Sequence, residues 1–78
     1  PESLQKDQQE WLSYHWNLVV GKEIADISNI DKITQGTLYI RVQGKEWLPA
    51  MESLKKKIIQ EINSRAGKNL VEKIKLKI

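Results

Sequence analysis

The chain has 78 residues, 40 % of them hydrophobic, with three tryptophans, no cysteine and a formal net charge of +3. A length of this kind builds one domain with a thin core, so most large apolar side chains are committed to packing, and the lack of cysteine removes disulfides, thiolate catalysis and cysteine-ligated zinc together. No apolar run approaches the roughly 20 residues that span a bilayer, and no basic-then-apolar leader precedes Leu4, so a cytoplasmic protein without a membrane partner is expected.

From Ser3 to Val20, the apolar residues Leu4, Trp11, Leu12, Trp16, Val19 and Val20 recur at helical spacing. They predict a first helix with Ser3 as N-cap and Asp7 near its positive end. Gly21 interrupts the pattern and Ile24, Ala25 and Ile27 continue it, which predicts a kink or a short second helix through about Asp26. Ile30 to Thr34 reads as a weak strand, Gln35-Gly36 as a hairpin turn and Thr37 to Gln43 as a strong strand. In that strong strand Leu38, Ile40 and Val42 fall on one face and Tyr39, Arg41 and Gln43 on the other.

After Gly44 the period changes, because Trp47, Met51, Leu54, Ile58 and Ile62 recur every three or four residues. A helix starting near Lys45 or Glu46 follows, with Pro49 tolerated in its first turn and Gly67 as its left-handed stop. Leu70 to Ile78 reads as a third strand in which Ile74, Leu76 and Ile78 alternate with Lys73, Lys75 and Lys77. The order α, β, β, α, β gives a two-layer α+β sandwich, a three-stranded sheet covered on one face by helices. The third strand fits parallel beside the second or antiparallel beside the first, and the pattern leaves both open. Because the chain opens on Pro1, residues 1–78 read as a single domain excised from a longer protein.

The charge is unevenly spread. Residues 1–40 carry three Lys/Arg against six Asp/Glu, and residues 41–78 carry ten against four, so the basic character belongs to the second half. Such asymmetry suggests a surface for a polyanion, although a lysine-rich half also keeps a small domain soluble. On the open sheet face Tyr39, Arg41, Lys73, Lys75 and Lys77 place one aromatic among cations, the combination that stacks bases and neutralises phosphates. A second cluster, Lys55-Lys56-Lys57 with Arg65 and Lys68, lies on the exposed side and C-terminal end of the long helix, where lysines also favour the helix dipole. Trp47 stands at the strand-to-helix junction, as a core plug or as a partly exposed anchor for a protein partner, and Trp11 carries the same ambiguity.

No catalytic centre is expected. The single histidine, His15, has no metal-spaced companion and reads as a surface or boundary side chain. Gly21, Gly36, Gly44 and Gly67 form neither a P-loop nor a dinucleotide fingerprint, no nucleophile elbow surrounds any serine, and no cofactor, metal or small-molecule substrate is expected.

The run Trp16-Asn17-Leu18-Val19-Val20-Gly21, then Ile24-Ala25, Gly36-Thr37-Leu38-Tyr39-Ile40-Arg41-Val42, Trp47, Leu54-Lys55, Ile62-Asn63, Gly67 and the closing alternating strand together resemble the DciA family of bacterial replicative-helicase loaders. The resemblance covers nearly the whole chain, from Trp11 to Ile78. It implies a KH-like domain that binds a DnaB-type replicative helicase and helps place it on single-stranded DNA without being an ATPase. The chain departs from the usual KH pattern in lacking a G-x-x-G loop, so any contact with DNA would use the basic face. The expected function is therefore a non-enzymatic replication adaptor. Trp47, Lys55 and Lys56 would face the helicase, and Tyr39, Arg41, Lys73, Lys75 and Lys77 would contact single-stranded DNA weakly. A general KH-like RNA- or DNA-binding module without a helicase partner is the main rival, and a purely structural interaction domain the third reading.

Overall fold

The computed structural model describes residues 2–78, with side chains from Gln8 onward. Expectations placed on the Ser3, Leu4 and Asp7 side chains lie outside the described residues. The elements run α1 (Glu2–Val20), α2 (Lys22–Asp26), β1 (Ser28–Thr34), β2 (Thr37–Val42), a 3-10 turn (Lys45–Trp47), α3 (Leu48–Ala66) and β3 (Lys73–Lys77). This is the expected α+β order, compatible with a small KH-like sandwich. The break at Gly21 is a left-handed swing: φ is +87°, its N–H closes the end of α1 on the Asn17 carbonyl, and its own carbonyl accepts the Ala25 N–H that opens α2. Glycine takes such a φ without steric cost.

The sheet order is β1-β2-β3. Gln35 and Gly36 both have positive φ, 50° and 80°, so the β1-β2 turn has the handedness that matches strand twist. β3 pairs in parallel with β2, from Thr37↔Lys73 to Arg41↔Lys77, which decides between the two placements the sequence allowed. It is also shorter than the expected Leu70 to Ile78. Leu70 and Val71 precede the strand and are buried in the core, and the N–H groups of Glu72 and Lys73 donate to the Gly36 carbonyl at 2.7 and 3.1 Å.

Leu38, Ile40 and Val42 of β2 form the buried centre with Ile33 and Ile74 of the flanking strands, Leu12 and Trp16 of α1, and Met51, Ile58 and Ile62 of α3. The indole N–H of Trp16 donates to the Ser28 hydroxyl at 3.0 Å, and that hydroxyl donates to the Ile24 carbonyl at 2.6 Å. Both polar groups are thereby satisfied inside the core, and α1, α2 and β1 are tied at one point.

The long helix starts through the 3-10 turn, places Pro49 in its first turn and ends at Gly67, where φ is +72°. Asn63, in its last turn, then holds the lead-in to β3 as a two-way clasp. Its side-chain amide donates to the Val71 carbonyl and its side-chain oxygen accepts the Val71 N–H, both at 2.9 Å. Asn63→Ala leaves these partly buried backbone groups without partners, and a loss of about 1–3 kcal/mol is expected. Urea unfolding checks this: the midpoint falls while the dependence on denaturant keeps its slope.

Candidate nucleic-acid interface

The helices cover one face of the sheet, and the other face carries the residues that alternate with the core. Parallel pairing of β2 with β3 sets Tyr39 beside Lys75, Arg41 beside Lys77 and Thr37 beside Lys73. The five residues expected to meet nucleic acid, Tyr39, Arg41, Lys73, Lys75 and Lys77, are thus brought onto one surface. All four of the cations are exposed and Tyr39 is half-buried. Along β3 the lysines repeat every second residue, about 6.6 Å apart, and make a straight cationic track.

Two residues from β1 complete this face, and strict alternation would place only one of them there. Ile30 pairs with Ile40 and Lys32 pairs with Tyr39, so Asp31 is the extra residue of a β-bulge. The cause is the spacing of Ile30 and Ile33. They are three positions apart, an odd spacing, yet both pack toward the core, so one residue must be absorbed. The bulge sends Asp31 and Lys32 together to the open side. The Lys32 ammonium lies over the Tyr39 ring, 5.0 Å from its centroid. The Asp31 carboxylate meets the Lys77 ammonium at 2.7 Å and the Arg41 guanidinium at 3.7 Å. Its hydrogen bond from Lys77, aided by the charges of Lys77, Arg41 and Lys32, holds the Asp31 carboxyl below its usual value. A depressed folded-state pKa contributes stability that is present at neutral pH and lost as pH falls through the acidic end of the carboxylate range. The face therefore sums five cations, Lys32, Arg41, Lys73, Lys75 and Lys77, against one carboxylate.

The residues expected to meet a protein partner are less united. Trp47 is half-buried and packs against the core rather than standing free. Lys55 is paired with Glu52 at 2.9 Å with its side chain 30 % exposed, and Lys56 is exposed, five residues from Met51 and so turned away from the apolar stripe of α3. Arg65 of the same basic cluster is engaged by Glu61 at 3.5 Å.

A different surface on the helical layer was legible in the sequence only at Trp11. On α1, Trp11, Tyr14, His15 and Leu18 fall at i, i+3, i+4 and i+7, one stripe beside the buried Leu12 and Trp16 and the partly buried Val19. His15 stacks on Trp11 with ring centroids 4.4 Å apart, and Tyr14 meets His15 edge-on at 5.2 Å. The His15 Nδ1 donates to the Trp11 carbonyl at 2.9 Å, which locks the ring in place. Tyr14 is 81 % exposed and Leu18 60 % exposed. The second i, i+3, i+4, i+7 series was the signal available in the sequence.

Among the described residues there is no group of three metal-ligating side chains and no helix long and apolar enough to cross a membrane. The family model described as "Dna[CI] antecedent, DciA" matches residues 2–76. The chain belongs to the DciA family. A UPF0232 protein of Corynebacterium glutamicum (strain R) is similar to it, with 23 % identity over 66 residues covering 85 % of this chain and 37 % of that relative. This DciA-family domain thus spans little more than a third of the length of the curated relative that it matches. The family is one of non-catalytic replication adaptors.

Proposed function

We propose that this chain is the KH-like module of a cytoplasmic, non-enzymatic replication adaptor that binds a DnaB-type replicative helicase and assists its loading onto single-stranded DNA. The observation that carries the reading is the family match over residues 2–76. The basic open face of the sheet supports the DNA side, because it combines an extended cationic track with an aromatic ring, and such grooves hold single strands through backbone charge and stacking. The helicase side is carried by the helical layer, through Trp47, Lys55 and Lys56 and through the exposed stripe of α1. Rigid, exposed aromatic side chains are the residue type that anchors protein partners. The two surfaces lie on different layers, so one molecule can hold helicase and DNA together.

The test is retention of the replicative helicase by the full-length protein, with Tyr14→Ala/Leu18→Ala as the interface variant and single-stranded DNA binding measured in parallel. Truncating two anchor residues is expected to weaken retention roughly tenfold or more while DNA affinity stays at the wild-type value. Trp47→Ala is less discriminating, since Trp47 also packs against the core. Failure of the unsubstituted protein to retain helicase overturns the adaptor reading. Undiminished DNA binding in that case leaves a general KH-like nucleic-acid module.

A further inference from the structure

The carboxylate in the middle of the cationic face is out of keeping with a surface that only keeps the domain soluble. Asp31 and Lys77 belong to the two outer strands, about 9.6 Å apart across the sheet. They meet at 2.7 Å only because both side chains reach over the middle strand, above the row that Arg41 occupies. The bulge that delivers Asp31 is held from behind, where the Gln9 side-chain amide of α1 donates to the Asp31 carbonyl at 3.1 Å. Asp31 is thereby fixed at the backbone while its side chain remains 25 % exposed. Tyr39, the one ring on this face, is two residues along β2 from Arg41, about 6.6 Å away.

We propose that Arg41 and Lys77 form a phosphate subsite whose resident counter-anion is Asp31, so that a single-stranded nucleic acid binds by exchanging a backbone phosphate for the Asp31 carboxylate. This inference rests on the sheet-face reading given above. The guanidinium and ammonium already converge on an anion, and a phosphate presents the same kind of acceptor oxygens that the carboxylate does. A partly exposed ion pair is weakly held and screened by salt, so it can yield to an incoming strand. The strand in turn gains counterion release at every phosphate that it places on the lysine track. A base neighbouring the bound phosphate lies within reach of Tyr39, once the Lys32 ammonium swings off the ring. Asp31 consequently keeps affinity weak and flattens its dependence on salt by the equivalent of one phosphate, and weak affinity suits an adaptor that must let go of DNA after delivery.

Binding of fluorescein-labelled oligothymidylate, titrated at several salt concentrations, tests this. Asp31→Asn retains the shape and removes the charge, and a rise in affinity of roughly three- to thirtyfold is expected at low salt, with the slope of log affinity on log salt steeper by about 0.7, one phosphate of a single strand. Adding Lys77→Gln to Asp31→Asn is expected to abolish the gain. Glu23→Gln, an equal change of charge on the exposed surface of α2, sets the effect of net charge alone. Should Asp31→Asn fail to fold by circular dichroism, Asp31→Ser replaces it. The exchange is overturned if Asp31→Asn leaves affinity and slope at wild-type values, if Glu23→Gln gives an equal rise, or if the gain survives Lys77→Gln. The underlying reading has its own arm: Lys73→Gln/Lys75→Gln must weaken binding. If it does and Asp31→Asn has no effect, the sheet-face reading stands and the exchange alone falls. If it does not, both fall.

Discussion

Exchange of Lys73, Lys75 and Lys77 together for glutamine is expected to lower affinity for single-stranded DNA by roughly one to two orders of magnitude at about 50 mM salt. The three side chains lie on one edge strand, all exposed and all on the uncovered face, so a bound strand can neutralise a phosphate at each. Lys73 and Lys75 each contribute about 0.7 to the slope of log affinity on log salt for a single strand, about 1.4 together, while the contact at Lys77 is offset by release of Asp31. Raising salt from about 50 to about 200 mM should then cost the wild-type protein about sevenfold more affinity than the variant. Fluorescence anisotropy at four or five salt concentrations reads both quantities. Parallel salt lines of equal height would show that the face is only a solvated surface. Stability is expected to change little, because Lys73 and Lys75 have no ion-pair partner among the described residues, and Lys77 loses only a partly exposed one.

Ile40→Ala should have the largest effect on the fold. Ile40 is fully buried on the central strand, paired with Ile30 on one side and Leu76 on the other, under the helical layer. Truncating a buried isoleucine removes its transfer free energy and leaves a cavity that the surrounding packing only partly closes, for a loss of about 2–5 kcal/mol. At about 0.05–0.15 kcal/mol per residue the whole domain has only about 4–12 kcal/mol to lose. The urea midpoint should therefore fall by about a sixth or more of its wild-type value. A loss under about 1 kcal/mol would mean that the layer above Ile40 collapses into the space, which close packing of Leu12, Met51 and Ile62 at zero exposure argues against.

The contrast between these two substitutions follows from where each residue type is placed. Ile40 and Lys75 sit on adjacent strands with opposite fates, the first inward and the second outward, because strand side chains alternate and only one face of the sheet is covered. That division also separates the two candidate surfaces. The proposed DNA contacts belong to the uncovered sheet face, while the exposed aromatic stripe of α1 belongs to the helical layer, where the neighbouring residues Leu12 and Trp16 are already spent on the core.

The local periods determined most of this fold from the sequence alone. Alternation in Thr37 to Val42 and a three-to-four spacing from Met51 to Ile62 are backbone geometry written into side-chain order, so they gave the strand, the helix, the buried set and the outward direction of Tyr39, Arg41 and the β3 lysines. Gly21 and Gly67 were legible for the same reason, since both mark places where only a local change of φ is required. What the tertiary structure decided is whatever depends on residues far apart in the chain. The parallel seat of β3 beside β2 was one of two solutions with equal local cost. The bulge at Asp31 arose because Ile30 and Ile33 must both reach the same core, a demand of packing that overrides the alternation of β1. That single absorbed residue put a carboxylate 2.7 Å from Lys77, across two strands and 46 positions of sequence. Periodicity specifies which way a side chain points, whereas only the assembled sheet specifies what it meets there.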